Sequence, residues 1–247
     1  MSDAIYIENL TKKFGDKKVL NGVNMRVKNG EIYAFIGANG AGKTTLMKLL
    51  FGILLPDEGS ISLLGQKISN NEDNTVFKQI GNIIETPVFY KNLSAVENLE
   101  IHCQYMGIEF IRNIPDILDL VGLKDIDEKK IGEFSLGMKQ RLALARTLIT
   151  NPKLMILDEP INGMDPMGIQ DTRKILMNIN QELGTAMLIS SHIISELEKL
   201  AHTVGIIDNG ILLEERSIAE IYSDLQDGGL ELEDYFMKVV NRGNKNA

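Results

Sequence analysis

The stretch GANGAGKTT, Gly37 to Thr45, sets a lysine and two threonines behind three closely spaced glycines. It satisfies G-x-x-x-x-G-K-[ST], follows the apolar run EIYAFI and precedes the helix-like TTLMKLLFG. Gly37, Gly40 and Gly42 let such a backbone wrap tightly, so that its amides, including those of Asn39, Ala41 and Thr45, can face phosphate oxygens. The helix that follows adds the positive end of its dipole. Lys43 is then expected to reach the β- and γ-phosphates of a nucleotide, and Thr44 to offer its hydroxyl to Mg²⁺. The plain alternative is a glycine-rich turn with a chance lysine. A second stretch, LMILDEP (residues 154–160), delivers two carboxylates to the end of a buried run. Asp158 is placed to hold the same Mg²⁺. Glu159 is placed to polarise a water for in-line attack on the γ-phosphate. The bland reading is two acids ending a strand in solvent. His192, in LISSHII, follows another buried run and could touch the γ-phosphate, although a lone histidine there is more often a satisfied polar residue. His102, His202 and Cys103 show no metal-ligand spacing, and Cys103 reads as a small core residue.

Glu85 raises a sharper question. The apolar run Ile80–Ile84 reads as a buried strand, and Glu85 stands where it should emerge. Strand ends of that kind are where α/β proteins keep their chemistry. The elements that must carry these groups alternate in period. AIYIENL, EIYAFIG, GNIIE, KLMILDE, TAMLISS and TVGIIDNG read as strands with helical stretches between them, the signature of an α/β fold with a mainly parallel sheet. KKVLNGVNMRVKNG and GSISLLG, with glycine turns, add an N-terminal antiparallel β part. Residues 86–150 break the alternation with three helices, the first opened by a capping box at Ser94 and Glu97. The polar end NRGNKNA reads as a frayed tail.

The 247 residues carry 26 basic and 34 acidic side chains, a formal charge of −8 that argues against a general nucleic-acid-binding surface. The single cysteine rules out an intrachain disulfide. The start MSDAIYIENL lacks the pattern of a signal peptide, and the apolar runs are too short to span a bilayer, so the expectation is a soluble, cytoplasmic chain.

FSLGMKQRLALARTLI (residues 134–149) decides between kinds of phosphate-loop ATPase. It resembles the signature motif of ATP-binding-cassette (ABC) proteins, usually LSGGQ before a basic, alanine-rich helix. Leu136 stands for the first glycine and Met138 for the glutamine, while Ser135 and Gly137 remain at an expected helix N-terminus, where a hydroxyl and amides can grip an anion. The order of pieces from IENLTKKFG to LEDYFMKVV is similar to one ABC nucleotide-binding domain over residues 1–240. That resemblance implies a P-loop NTPase core with an inserted helical subdomain at about 86–150 and a polar tail at 241–247.

It further implies that Phe14 stacks adenine, that Asp165 in NGMDP belongs to the D-loop and that His192 contacts the γ-phosphate. It implies a head-to-tail dimer, as a homodimer with ATP, in which Ser135 and Gly137 meet the nucleotide of the other subunit. Separately encoded transmembrane permease subunits are the implied partners, which would hold the chain on the inner face of the membrane. The family normally carries a glutamine at the position of Glu85, near Mg²⁺ and the attacking water. Glutamate there, with IETPVFYKNLSAVENL around it, resembles the ATPase subunits of lantibiotic-immunity and bacitracin-resistance exporters. The competing expectation is a soluble ABC ATPase acting on ribosomes or nucleic acid.

Overall fold

The computed structural model describes residues 3–69, 75–84, 87–107, 113–124, 126, 129–226 and 232–243. Two long strands come first, β1 (Asp3–Phe14) and β2 (Lys17–Lys28), joined at Gly15, whose φ of 58° suits a tight turn. Then follow β3 (Ile32–Ile36), α1 (Lys43–Leu50), β4 (Glu58–Leu63), β5 (Gln66–Lys67) and β6 (Ile80–Ile83). The helices α2 (Ala95–Met106), α3 (Ile114–Leu120) and α4 (Leu136–Leu148) come next. The chain then returns to alternation with β7 (Leu154–Asp158), α5 (Pro166–Leu183), β8 (Ala186–Ser191), α6 (Ile194–Leu197) and β9 (Thr203–Asp208). It closes with β10 (Ile211–Ser217), α7 (Ile218–Gln226) and α8 (Leu232–Gly243).

Two sheets result. One is antiparallel, in the order β2-β1-β4-β5; the other runs β10-β9-β3-β8-β7-β6 and is parallel except for β10. The strands IYAFI and LMILD of the second sheet are buried at every residue, which explains their unbroken apolar composition. Alternate side chains feed two cores. Tyr33, Phe35, Leu154 and Ile156 pack with α1 and the antiparallel sheet, while Ala34, Ile36, Met155 and Leu157 pack with α2, α4 and α5. The three helices expected between 86 and 150 are present, and Ser94 and Glu97 form the reciprocal capping box, with bonds of 3.2 and 2.6 Å.

Two local expectations shift. The strand read as GNIIE ends at Ile83, and Glu85 lies outside the described residues. Asn241, Arg242 and Gly243, read as tail, form the last turn of α8. Cys103 is buried in the helix-side core.

Candidate functional site

The loop between β3 and α1 is shaped by its glycines for two different reasons. Gly40 and Gly42 have φ of 82° and 111°, which side-chain-bearing residues rarely adopt, and Gly42 caps α1. Gly37 is constrained by space instead: a Cβ there would lie 2.5 Å from the carbonyl oxygen of Ile207 on β9. Lys43 opens α1 and is buried, its Nζ donating to the carbonyls of Gly37 (2.7 Å) and Ala38 (3.3 Å) and lying 3.7 Å from Glu159 Oε1. The next residue, Thr44, donates its hydroxyl to Asp158 Oδ2 at 2.7 Å.

β7 brings Asp158 and Glu159 to this loop. Asp158 is 9% exposed, and its Oδ1 accepts from the Ser190 hydroxyl at 2.5 Å. Glu159 follows with φ 50°, a left-handed conformation that turns its side chain back across the loop. Its Oε2 lies 2.9 Å from His192 Nδ1, so that Lys43, Glu159 and His192 converge. Together with Lys17, Asn39, Gly40, Thr44 and Asn162 they line a cleft of about 330 Å³. The arrangement has the parts for anchoring a triphosphate, a buried cation at a helix N-terminus, and a carboxylate able to take a proton from water.

Ser135 and Asp165 occupy a different place. Ser135 caps α4, accepting from Met138 N at 3.2 Å, and Asp165 caps α5, accepting from Gly168 N at 3.0 Å. With Gly137, Leu136, Met138 and Gly163 they border a second cleft of about 390 Å³, where Arg141 and Asp171 pair at 2.8 Å. The two clefts share no lining residue. Phe14 stands beside the hairpin tip, half-exposed, with the Lys12 ammonium 5.6 Å from its ring. The sequence reading does not reach Lys17, Val19 and Asn162, which line the first cleft, nor Ser190, which lies behind the carboxylates. Two serines ending a buried run just before His192 were the available signal for the last.

The fold and the Lys43–Asp158–Glu159 cleft define a phosphate-loop ATPase with a helical region built onto its core. Residues 20–162 match the ABC transporter family, and the chain belongs to it. It is 46% identical over 215 residues to the bacitracin transport ATP-binding protein BcrA of Bacillus licheniformis, covering 87% of this chain and 70% of that one. It is 44% identical over 234 residues to the lantibiotic transport ATP-binding protein SrtF of Streptococcus pyogenes, covering 95% and 96%. Among solved structures it is similar to the ADP conformation of the ATP-binding cassette MJ1267, at a TM-score of 0.81 and 28% identity over 95% and 99% of the two chains. The structure of cbiO1 from Clostridium perfringens superposes at a TM-score of 0.83, with 26% identity over 96% and 98%. The chain is the ATP-binding, ATP-hydrolysing subunit of an ABC transporter. Among the described residues no helix is long and apolar enough to cross a membrane.

Proposed function

We propose that this chain powers a membrane exporter of amphiphilic antimicrobial peptides of the lantibiotic or bacitracin kind. The likeness to SrtF and BcrA, both named for transport, supports this cargo and favours a transporter over the alternative of an ATPase acting on ribosomes or nucleic acid. In this reading residues 1–240 form one nucleotide-binding domain with a helical part at about 86–150, held at the inner, cytoplasmic face of the membrane by permease subunits. The dock for a permease helix is the cleft between core and helical part rimmed by Thr86 to Asn98, of which Thr86 lies outside the described residues.

The observation that carries the mechanism is the convergence of Lys43, Glu159 and His192 in one cleft while Ser135, Gly137 and Asp165 sit in another. Lys43 and the amides of Gly37 to Thr45 hold the phosphates, and Phe14 supports the adenine. Glu159 accepts the proton of the attacking water, and His192 holds the Glu159 carboxylate and meets the γ-phosphate. Thr44 and Asp158 fit Mg²⁺. They offer two hard oxygens 2.7 Å apart, and such an ion is usually held by one or two carboxylates plus the substrate's phosphates. Bound there, Mg²⁺ would neutralise charge developing on the phosphate oxygens. Ser135, Gly137 and Asp165 serve the nucleotide of a second copy in a head-to-tail homodimer. Glu85 in the family's glutamine position makes the closed state more metal-dependent, because a carboxylate accepts and carries charge where an amide can donate. Superimposable Mg²⁺ titrations of ATPase activity for wild type and Glu85→Gln would refute that last role.

The test is a tagged pull-down of Glu159→Gln from detergent-solubilised cells with Mg·ATP. Stoichiometric recovery of an integral-membrane protein, together with peptide sensitivity in cells carrying only this variant, is expected. Recovery of ribosomes or nucleic acid with no membrane protein would overturn the reading.

A further inference from the structure

Ser190 ends β8 in register with Asp158 of β7 and is fully buried. Its hydroxyl donates to Asp158 Oδ1 at 2.5 Å and accepts the Glu159 backbone N–H at 3.0 Å. A hydroxyl has one proton and two lone pairs, so it can make both bonds at once. The other Asp158 oxygen, Oδ2, already takes the Thr44 hydroxyl. Each oxygen of Asp158 therefore has its own hydroxyl, and the carboxylate is locked with Oδ2 toward the phosphate loop.

The second bond acts on Glu159. A non-glycine residue at φ 50° persists only when its surroundings over-determine it. Ser190 holds the N–H of that residue, and Asn162 N holds its carbonyl at 3.1 Å. The turn so fixed aims the Glu159 carboxylate at His192 and Lys43.

We propose that Ser190 is a positioning residue for ATP hydrolysis: its single hydroxyl sets which oxygen Asp158 presents to the metal and holds the backbone turn that aims Glu159. This rests on the roles given above to Asp158 and Glu159. Ser191 supplies an internal control. It is equally buried, but its hydroxyl accepts from Ile193 N at 2.9 Å, away from the carboxylates.

The experiment measures binding of a fluorescent ADP analogue with and without Mg²⁺, melting temperature and kcat for Ser190→Ala, Ser190→Cys, Ser191→Ala and Glu159→Gln. Losing an outer support of a metal ligand typically costs about 10–100-fold in metal affinity or activity. For Ser190→Ala the Mg²⁺ midpoint should rise about tenfold or more and kcat fall by a similar factor, with metal-free affinity unchanged. Ser190→Cys, close in size but a weak donor, should show the same shift and serves if the alanine variant does not fold. Ser191→Ala should behave as wild type. A Mg²⁺ midpoint and kcat within about twofold of wild type in the Ser190 variants would overturn the inference, provided Glu159→Gln is inactive. Wild-type hydrolysis by Glu159→Gln would instead overturn the underlying assignment of the carboxylates.

Discussion

Replacing Gly37 by alanine tests why the phosphate loop begins with glycine. The added Cβ would stand 2.5 Å from the Ile207 carbonyl oxygen and 2.7 Å from its Cγ2, about 1 Å inside ordinary contact. The carbonyl belongs to β9, which pairs with β3 from Tyr33 to Ile36, so the clash cannot be relieved by turning a side chain. The loop must lift off the sheet. Overpacking of this kind costs about 1–3 kcal/mol, and for a chain of this size each kcal/mol lowers Tm by roughly 2–4 °C. A fall of about 2–12 °C is expected in a thermal melt. The same displacement, roughly 1 Å, moves the amides and Lys43 relative to the phosphates, and misplacements of that size cost about 10²-fold in rate. Gly40→Ala, whose Cβ would meet nothing within 4 Å, should pay only for its φ of 82° and melt closer to wild type. Ile207→Ala should fail to rescue Gly37→Ala, because the obstructing oxygen is backbone. A Gly37→Ala protein melting within about 2 °C of wild type and hydrolysing ATP at more than half its rate would refute this account.

The same physics extends elsewhere. Gly205→Ala would drive a methyl into the Tyr33 hydroxyl and within 2.8 Å of its fully buried ring, costing about 3 kcal/mol by calorimetry; Tyr33→Phe in that background should return part of it, and no return would refute the clash. Ser94→Ala removes the α2 cap and should cost about 1 kcal/mol in urea unfolding. The Ser94 N–H, with Lys130 behind it, holds the Glu97 carboxyl below the usual range, so its contribution is present at neutral pH and is lost as pH falls through that lowered pKa; Glu97→Gln should flatten the acid limb of the stability profile and leave the neutral region unchanged. Gly163→Ala strains a residue at φ 75° and brings a Cβ to 3.1 Å from Leu136; ATP-dependent dimerisation in a Glu159→Gln background should weaken about fivefold by sedimentation, while nucleotide binding to the monomer holds.

What the sequence made legible follows from where each constraint sits. IYAFI and LMILD could be read as strands because burial on both faces leaves unbroken apolar runs. The order Lys43-Thr44 and Asp158-Glu159 could be read because neighbouring residues do neighbouring jobs. β10 was not legible: ILLEERS puts Glu214, Glu215 and Arg216 in a row, which looks like a loop. Its charges are satisfied by groups outside the strand, Glu215 by the Tyr33 hydroxyl at 2.9 Å and Arg216 by Asp224 of the next helix at 2.8 Å. Ser190 was hidden for a related reason, since its value depends on the β7–β8 register and not on any spacing in its own strand. The spacing of Gly37 says only that the backbone can wrap, whereas its Cβ-free face is needed for contact with β9.

The two clefts are separate in space but joined in the chain by a few residues. Glu159 and Asn162 line the first, and Gly163, Met164 and Asp165 line the second. Asn162 N bonds the carbonyl of Glu159, and Asp165 then caps α5, so the loop is tied at both ends. The Arg141–Asp171 pair ties α4, and with it Ser135 and Gly137, to that same α5. A change in the turn at Glu159 therefore has a short covalent and hydrogen-bonded route to the surface that carries the signature residues. The turn is strained, a state that surrounding contacts can hold or release. The backbone that turns the Glu159 carboxylate toward Lys43 and His192 is continuous with the segment that lines the second cleft. If Ser135 and Gly137 meet the nucleotide of a second copy, as proposed above, loss of the γ-phosphate would reach that interface through this loop, and a ligand shifts such an equilibrium only by its differential affinity for the two arrangements.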